Sequence, residues 1–510
     1  MTTTTVRETE RKYDAQEQTQ LPALDNLPGV SATVGPDEQT LEAVYYDTDD
    51  LRLARSGVTL RRRSGGDDAG WHLKLRAGGG DGDSRDELRL PDTGDSQPPP
   101  ELVELTTAQT RGRELAPVAL LTTRRRRHQL IGDDQRPVAE VVDDAVSGHT
   151  LGAETTAQSW REFEVELTGG GSPELLDAVE TRLRDASIRR ADSPSKLARL
   201  LGDRLRSYRR SPREHDSSSA GGVVLGYLGK WVEELTRRDP QVRQDSPDAV
   251  HPMRTALRRL RSILQVYGRI VDREQTRQLT DELKWLAGVL APARDLEVLR
   301  TRLDSMIEKL PPEDVVGPVS ARLTRHFARQ EAAARAKICA VLEGQRYLEL
   351  LDRLDDLLDH PPLTRRAERP ADKELPRQLR RAYRRFERRM RHADRTLAGA
   401  ERDDALHEVR KTAKRLRYGI DAARPALSGV ADGFRKRLKK VQELLGDHQE
   451  AVVARPPLRE LSMQAHLDGE NGYTYGLLHG AQGAVIDKTQ RELPRAHRRL
   501  TRGKLRRWMR

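Results

Sequence analysis

Residues 6–15 read VRETERKYDA. Every second position there is charged: Glu8, Glu10 and Lys12. In a β-strand alternate side chains share a face, so two carboxylates and an ammonium point the same way from one short segment. The same arithmetic groups Arg61 with Arg63 in VTLRRRSGG, His72 with Lys74 and Arg76 in GWHLKLRAGG, and Glu162 with Glu164 and Glu166 in WREFEVELTGGG. One such strand alone reads as a solvated sheet face. Several strands in sequence, with faces of differing sign, read as the inside of a closed barrel.

The segments AVYYDT, DELRLP, RRRRHQLIG and PVAEVVDD complete this pattern, separated by Gly, Asp and Pro clusters. It is the signature of an antiparallel meander or barrel over the first 170 or so residues. SPELLDAVETRLRDA follows with helical periodicity, Ser172 standing as N-cap before Pro173. SPREHDSSSAGG, 211–222, is linker-like in composition.

Beyond residue 223 the period changes to that of helices, with apolar residues at i, i+3, i+4 and i+7 in AVHPMRTALRRLRSILQVYG and RTRLDSMIEKL. This half predicts an all-α bundle. It also repeats. His251, Arg254, Arg258 and Arg261 return as His407, Arg410, Lys414 and Arg417, and LKWLAGVLAPARD (283–295) returns as LKKVQELLGDHQE (438–450). Two blocks with nearly one offset imply a duplicated helical unit. At about 100° per residue the four basic positions of each copy fall on one narrow arc. Met253, Leu257, Leu260 and Leu264 fall on a separate arc, as do Val409, Leu416 and Ile420. Each helix therefore packs with one stripe and presents a basic stripe beside it.

Charge divides the chain in the same place. Residues 1–207 hold 28 Lys and Arg against 37 Asp and Glu, and the remainder holds 63 against 43. The basic half should attract a polyanion. Only 15 of the 91 basic residues are lysine, so the position of each arginine is more informative than the total. The one cysteine, Cys339, has no partner for an internal disulfide, which fits a reducing, cytoplasmic setting. Neither an apolar signal segment nor a run long enough to span a membrane occurs. No GxxxxGK[ST] phosphate loop and no Ser/His/Asp or Cys/His nucleophilic set is present.

Buried charges need partners. A polyphosphate carried with a divalent metal supplies both signs: arginine and lysine take phosphate oxygens, and carboxylates take Mg²⁺ or Mn²⁺.

ETERK at 8–12, followed in order by YYDT, TLRRR, HLKL, EFEVEL and SKLARLL, resembles the CYTH domain, the triphosphate tunnel metalloenzyme family, over roughly residues 4–207. The resemblance implies an eight-stranded antiparallel tunnel with flanking helices that hydrolyses a triphosphate with divalent metal. Glu8, Glu10, Glu162, Glu164 and Glu166 would bind metal, with Asp143 of EVVDD as a further metal-side candidate. Lys12, Arg61, Arg63, Lys74 and Lys196 would hold phosphates. One of Arg124–Arg127 would join them; Arg125 is preferred, although four consecutive arginines leave the register open. Glu8, Glu10 and Lys12 would form the catalytic set, and Arg11 would face outward.

The paired H-x-x-R-x-x-x-[RK]-[RK]-x-R blocks resemble the CHAD domain, over about residues 223–505. That implies two four-helix-type halves around a basic cavity that binds inorganic polyphosphate through His251, Arg254, Arg258, Arg261, Lys284, His407, Arg410, Lys414, Arg417 and Lys439. Asp295 and Glu450 would close the two units. Nucleic acid is the weaker expectation, because single-strand binders interleave aromatic stacking platforms and only Tyr418 stands among these stripes.

The expectation is thus a two-domain α+β protein. A tunnel domain spans 1–207, a linker 208–222, and a duplicated helical domain 223–507 with halves of about 223–365 and 375–507. The expected activity is metal-dependent inorganic triphosphatase, with long-chain polyphosphate bound by the helices. Thiamine triphosphatase or adenylate cyclase chemistry in the same tunnel, and a non-catalytic polyphosphate-binding scaffold, stay open as alternatives; Trp71 and Trp160 are the only tryptophans in this half that could stack on a ring.

Overall fold

The computed structural model describes residues 4–76, 83–92, 94–152, 155–208 and 216–509. It divides into two compact units, Met1–Arg213 and Glu214–Arg510. Of the expected linker 208–222, residues 209–215 lie outside the described residues, and the first helix of the second unit already begins at Ala220.

The first unit is built from β1 (Thr4–Ala15), β2 (Ala32–Asp47), β3 (Thr59–Ser64), β4 (Gly70–Arg76), β5 (Ser84–Pro91), β6 (Ala116–Ile131), β7 (Pro137–Thr150) and β8 (Ala157–Leu167). Their order is β5-β4-β3-β2-β6-β7-β8-β1, and β5 pairs back onto β1. Eight antiparallel strands therefore close a barrel and leave no free edge. A two-residue strand, β9 (Arg189–Arg190), lies beside β1.

Four helices serve this barrel: α1 (Arg52–Arg55), α2 (Pro100–Thr110), α3 (Pro173–Asp185) and α4 (Lys196–Tyr208). The outward residues of β1, β7 and β8, among them Tyr13, Val141, Phe163 and Val165, pack under Leu175, Leu176, Val179 and Leu183 of α3. Leu60, Trp71, Leu73 and Leu88 do the same with Leu102 and Leu105 of α2. On these strands the apolar face thus looks outward to helices, which leaves the polar face inside.

Helix α4 behaves differently. Its Leu197, Leu200, Leu201 and Leu205 cluster with Ala43, Tyr45, Leu121 and Val146, which share strand parity with the interior set. The helix thereby seals one end of the barrel. Burying each leucine contributes roughly 2 kcal/mol of transfer free energy, enough to hold a short helix there. In the β3–β4 loop, Gly65 has φ 81°, and a Cβ would lie 2.3 Å from the Thr40 carbonyl oxygen. Only glycine makes that turn.

The second unit is helical: α5 (Ala220–Arg243), α6 (Val250–Val266), α7 (Arg277–Val289), α8 (Ala291–Ile307), α9 (Val319–Glu343), α10 (Gln345–Asp359), α11 (Ala371–Arg395), α12 (Ala400–Ala423), α13 (Asp432–Leu467) and α14 (Tyr473–Leu500). The repeated blocks sit on α6 and α12, which pack together. Tyr267 donates to the Gly419 carbonyl at 2.7 Å. Met253, Leu257, Leu260, Val409 and Leu416 are all buried. The two copies differ downstream. The first breaks into α7 and α8 at Leu290, where Pro292 lies in the first turn of α8. The second has Asp447 in the equivalent place and runs on as α13.

Candidate active site and basic helical cavity

A cavity of about 340 Å³ fills the barrel interior. Glu8 and Glu10 of β1, Glu164 and Glu166 of β8, and Glu140 of β7 line one side; Arg61 and Arg63 of β3 line the side three to four strands away. Lys74, Arg85, Glu87, Arg89, Arg125, Arg127 and Lys196 stand around the wall.

Ladder register dictates who meets whom. Glu10 is opposite Glu166, and Lys12 is opposite Glu164. Lys12 donates to Glu164, and to Glu10 at 3.2 Å. Lys74 and Arg89 donate to Glu8 at 2.5 and 2.9 Å. Arg125 makes two bonds to Asp144, at 2.8 and 2.7 Å, and one to Glu164 at 3.3 Å. Lys196, carried in by α4, lies 2.9 Å from Asp144, 3.0 Å from Glu162 and 2.6 Å from Glu164.

The balance is local rather than uniform. Burial pushes the Glu10 carboxyl up, but Lys12 and Lys74 outweigh it and hold it at about 2. Glu166 is less compensated: burial, then Glu8, push it up to about 7 against the pull of Lys74. Burial raises Glu8 as well, against the pull of Lys74. Across the cavity, burial and the neighbouring Arg61 and Arg125 lower the Arg63 guanidinium to about 9. The Nε atoms of Arg61 and Arg63 are buried without a hydrogen-bond partner. Arg63 pairs with Asp68 and Arg61 lies 3.7 Å from Glu87. Crowded carboxylates and crowded guanidiniums thus share one chamber, with Glu166 and the two arginine Nε atoms the least compensated groups.

The helical unit holds a second cavity, of about 750 Å³. Both repeats contribute: His251, Arg254, Arg258, Arg261 and Lys284 from the first, His407, Arg410 and Lys414 from the second. The two acidic positions meet equivalent arginines, Arg254 with Asp295 at 2.7 Å and Arg410 with Glu450 at 3.7 Å. Burial, then Arg410, Arg258 and Arg254, push the Lys414 ammonium down to about 7. The Nε atoms of Arg258 and Arg410 are buried and unpartnered.

Comparison with known proteins agrees with this division. A CYTH domain model matches residues 6–201 and a CHAD domain model matches residues 226–459. An uncharacterized protein from two strains of Mycobacterium tuberculosis is 37% identical over 514 residues, covering 97% of this chain and 96% of its own. The chain belongs to the CYTH–CHAD family. Among solved structures, PptA from Streptomyces chartreusis is 21% identical, covering 55% of this chain and 100% of its own at TM-score 0.46. The CHAD domain from the plant Ricinus communis is 22% identical, covering 56% and 92% at TM-score 0.44.

CYTH domains depend on divalent metal. The donor set here suits one: Glu8, Glu10 and Glu166 each bring a carboxylate oxygen within 4.8 Å of the others. Oxygen-only donors favour a hard cation such as Mg²⁺ or Mn²⁺.

Most residues expected inside the CYTH barrel line its cavity, namely Glu8, Glu10, Lys12, Arg61, Arg63, Lys74, Arg125, Glu164, Glu166 and Lys196. Arg125 and Arg127 resolve the four-arginine register, since Arg124 and Arg126 are on the other face. Arg11 is outside, on Asp83 and Glu180. Two residues depart. Glu162 shares the inward parity but does not line the cavity; it is bound by Lys196 and by the Trp160 indole N–H at 2.6 Å. Asp143 is on the opposite face of β7, held by two bonds from Arg161 at 2.7 and 2.8 Å; its neighbour Asp144 takes the inward place. Arg85, Glu87 and Arg89 of β5 were not expected. Their alternation in SRDELRLP carried the same signal as β1.

In the CHAD unit eight of the ten expected residues line the cavity. Arg417 does not; its guanidinium lies 5.3 Å from the Tyr418 ring centre. Lys439 does not either; it is exposed beside Glu443 at 3.7 Å. Arg294, Arg302, Lys411 and Arg415 are additional lining cations.

Among the described residues, no helix is long and apolar enough to cross a membrane.

Proposed function

We propose that the CYTH barrel hydrolyses inorganic triphosphate or a short polyphosphate with Mg²⁺ or Mn²⁺, and that the CHAD unit binds long-chain inorganic polyphosphate. One observation carries the first half. Arg61 and Arg63, each with a buried unpartnered Nε, face the Glu8–Glu10–Glu166 cluster across an enclosed cavity. A phosphate chain with its metal is the ligand that satisfies both walls.

The chain's own residues bind and orient. Arg61, Arg63, Arg125 and Lys196 would take non-bridging phosphate oxygens. Lys12 and Lys74 stand beside the carboxylate cluster, where the terminal phosphoryl would lie. Glu8, Glu10 and Glu166 would hold the metal, which when bound neutralises phosphate charge and polarises the bond to be broken.

The wall favours a bare phosphate chain over a ring-bearing substrate. Among the described residues Tyr45 is the only aromatic side chain lining the cavity, and its hydroxyl accepts from Arg61 at 3.3 Å. Trp71 is buried in the outer packing with Tyr46, and Trp160 packs with the α4 cluster. Neither offers a stacking platform.

Phosphate release from triphosphate, short polyphosphate, thiamine triphosphate and ATP, each with Mg²⁺ and Mn²⁺, tests the reading. Triphosphate or short polyphosphate should be turned over fastest, and the Glu8→Ala/Glu10→Ala variant should lose that turnover. Absence of release from every substrate, with polyphosphate still bound, would leave a binding scaffold instead.

A further inference from the structure

A third cavity, of about 910 Å³, opens in the helical unit between the 268–274 turn, the 364–369 segment and helices α11 and α12. Eight arginines line it against two carboxylates. Of the repeated basic blocks only Arg415 reaches it, and the proposed function assigns it no role.

Its two carboxylates do little to neutralise it: among the described residues neither Asp272 nor the exposed Glu274 pairs with a lining arginine. Asp272 caps its own turn, accepting from the backbone N–H of Glu274 at 2.8 Å and of Gln275 at 3.4 Å. The buried Glu374, behind the wall, takes Arg366 at 3.2 Å and Arg369 at 3.3 Å. Arg269, Arg273, Arg381, Arg385 and Arg415 have no carboxylate within ion-pair distance among the described residues. Burial and the neighbouring Arg269 and Arg366 lower Arg381; burial, then Arg261 and Arg385, lower Arg415. Like charges gathered along a concave wall concentrate a positive potential that draws an anion.

Two continuities identify the ligand. Arg415 lines both this cavity and the central one. Arg381 and Arg385 also line the next concavity along α11, with Arg384, Arg388 and Arg391. The one carboxylate there, Glu387, is engaged by His497 at 3.0 Å. Basic walls thus run from the central cavity past Arg415 and along α11. The 910 Å³ wall contains no aromatic ring, so it offers phosphate contacts without base stacking.

We propose that this arginine-lined groove is a second polyphosphate-binding surface, joined to the central cavity through Arg415, so that one long chain occupies both. The proposal rests on the reading of the CHAD unit as a polyphosphate binder. It makes affinity depend on chain length: a short chain fits within the central cavity, and only a longer one gains the groove as a tethered second site.

The test measures binding of short-chain and long-chain polyphosphate to the full-length protein, at several salt concentrations, for wild type and Arg381→Gln/Arg385→Gln. The variant should bind short chains as wild type does. Its long-chain affinity should fall about tenfold, and the salt slope should shrink by about 0.7 for each phosphate that is no longer neutralised. Arg269→Gln/Arg273→Gln, on another wall of the groove, should reproduce the loss and guards against misfolding of one variant. Unchanged long-chain affinity in both variants overturns the groove while leaving the central cavity intact. Failure of wild type to bind either polymer overturns the underlying reading and the groove with it. Single-stranded RNA displacing long-chain polyphosphate at equal phosphate concentration overturns the ligand class.

Discussion

Glu10 of β1 and Glu166 of β8 are cross-strand partners, and their carboxylates converge with that of Glu8. Lys12 and Lys74 hold Glu10 ionised, whereas burial and Glu8 crowd Glu166. Glu166→Gln should therefore weaken metal use without loosening the fold. Metal-dependent phosphate release should drop about 10²-fold, the equivalent of a few kcal/mol of lost charge stabilisation. The metal-free variant should melt no lower than wild type. A clear fall in melting temperature would show the carboxylate to be structural.

Lys196 tests the opposite dependence. It is the shared partner of Asp144, Glu162 and Glu164. Lys196→Met leaves those carboxylates buried with one cation fewer, which should cost about 3 kcal/mol in urea unfolding at neutral pH. Lys196 helps hold Asp144 and Glu164 below the ordinary carboxylate range despite burial. That contribution is fully present above the unfolded-state values of about 4 and is lost as pH falls through the folded ones. The deficit should therefore shrink as pH falls below about 4. A deficit independent of pH would contradict this.

Asp143 and Asp144 are adjacent in sequence and opposite in role. Asp144→Asn removes a partner of Arg125 and Lys196 inside the barrel and should lower phosphate release about tenfold, the usual scale for a charged hydrogen bond. Asp143→Asn touches only the outer Arg161 link and should leave turnover within about twofold. Steady-state rates with triphosphate decide between them, and equal losses would refute the assignment of faces.

Lys414 gives the central cavity a proton signature. Its folded-state value of about 7 lies below the ordinary 10.5. Between those values the unfolded chain binds more protons, so this group's contribution to the stability of the free protein rises with pH. A bound polyanion reverses the preference by favouring the ammonium. Calorimetry at pH 8 in buffers of different ionisation enthalpy should show proton uptake on polyphosphate binding, absent in Lys414→Arg. Equal uptake in that variant would assign the proton elsewhere.

How much of this was legible depended on whether alternation carried contrast. In β1, Glu8, Glu10 and Lys12 alternate with residues bound outside, and their shared face was plain. In β7, Val141 and Val142 are both buried, so EVVDD offers no polar–apolar contrast to say which aspartate points inward. The four arginines of β6 posed the same problem, and there pairing with Asp144 decides it. On the helices, the stripes on α6 and α12 were readable because both helices keep one period throughout. Lys284 and Lys439 were not equivalent. The first copy is interrupted near Pro292 and the second is one continuous helix, so equal spacing in sequence does not yield equal orientation. The 910 Å³ groove draws its arginines from a turn, a loop segment and two helices, and no periodic pattern could have assembled it.

With its leucines wedged against Ala43, Tyr45, Leu121 and Val146, α4 turns the barrel into a cul-de-sac. A linear polymer can enter a chamber with one mouth only tip first. Cleavage inside it would trim chain ends and spare interior linkages, and the clipped fragment would have to leave by the doorway its parent still occupies.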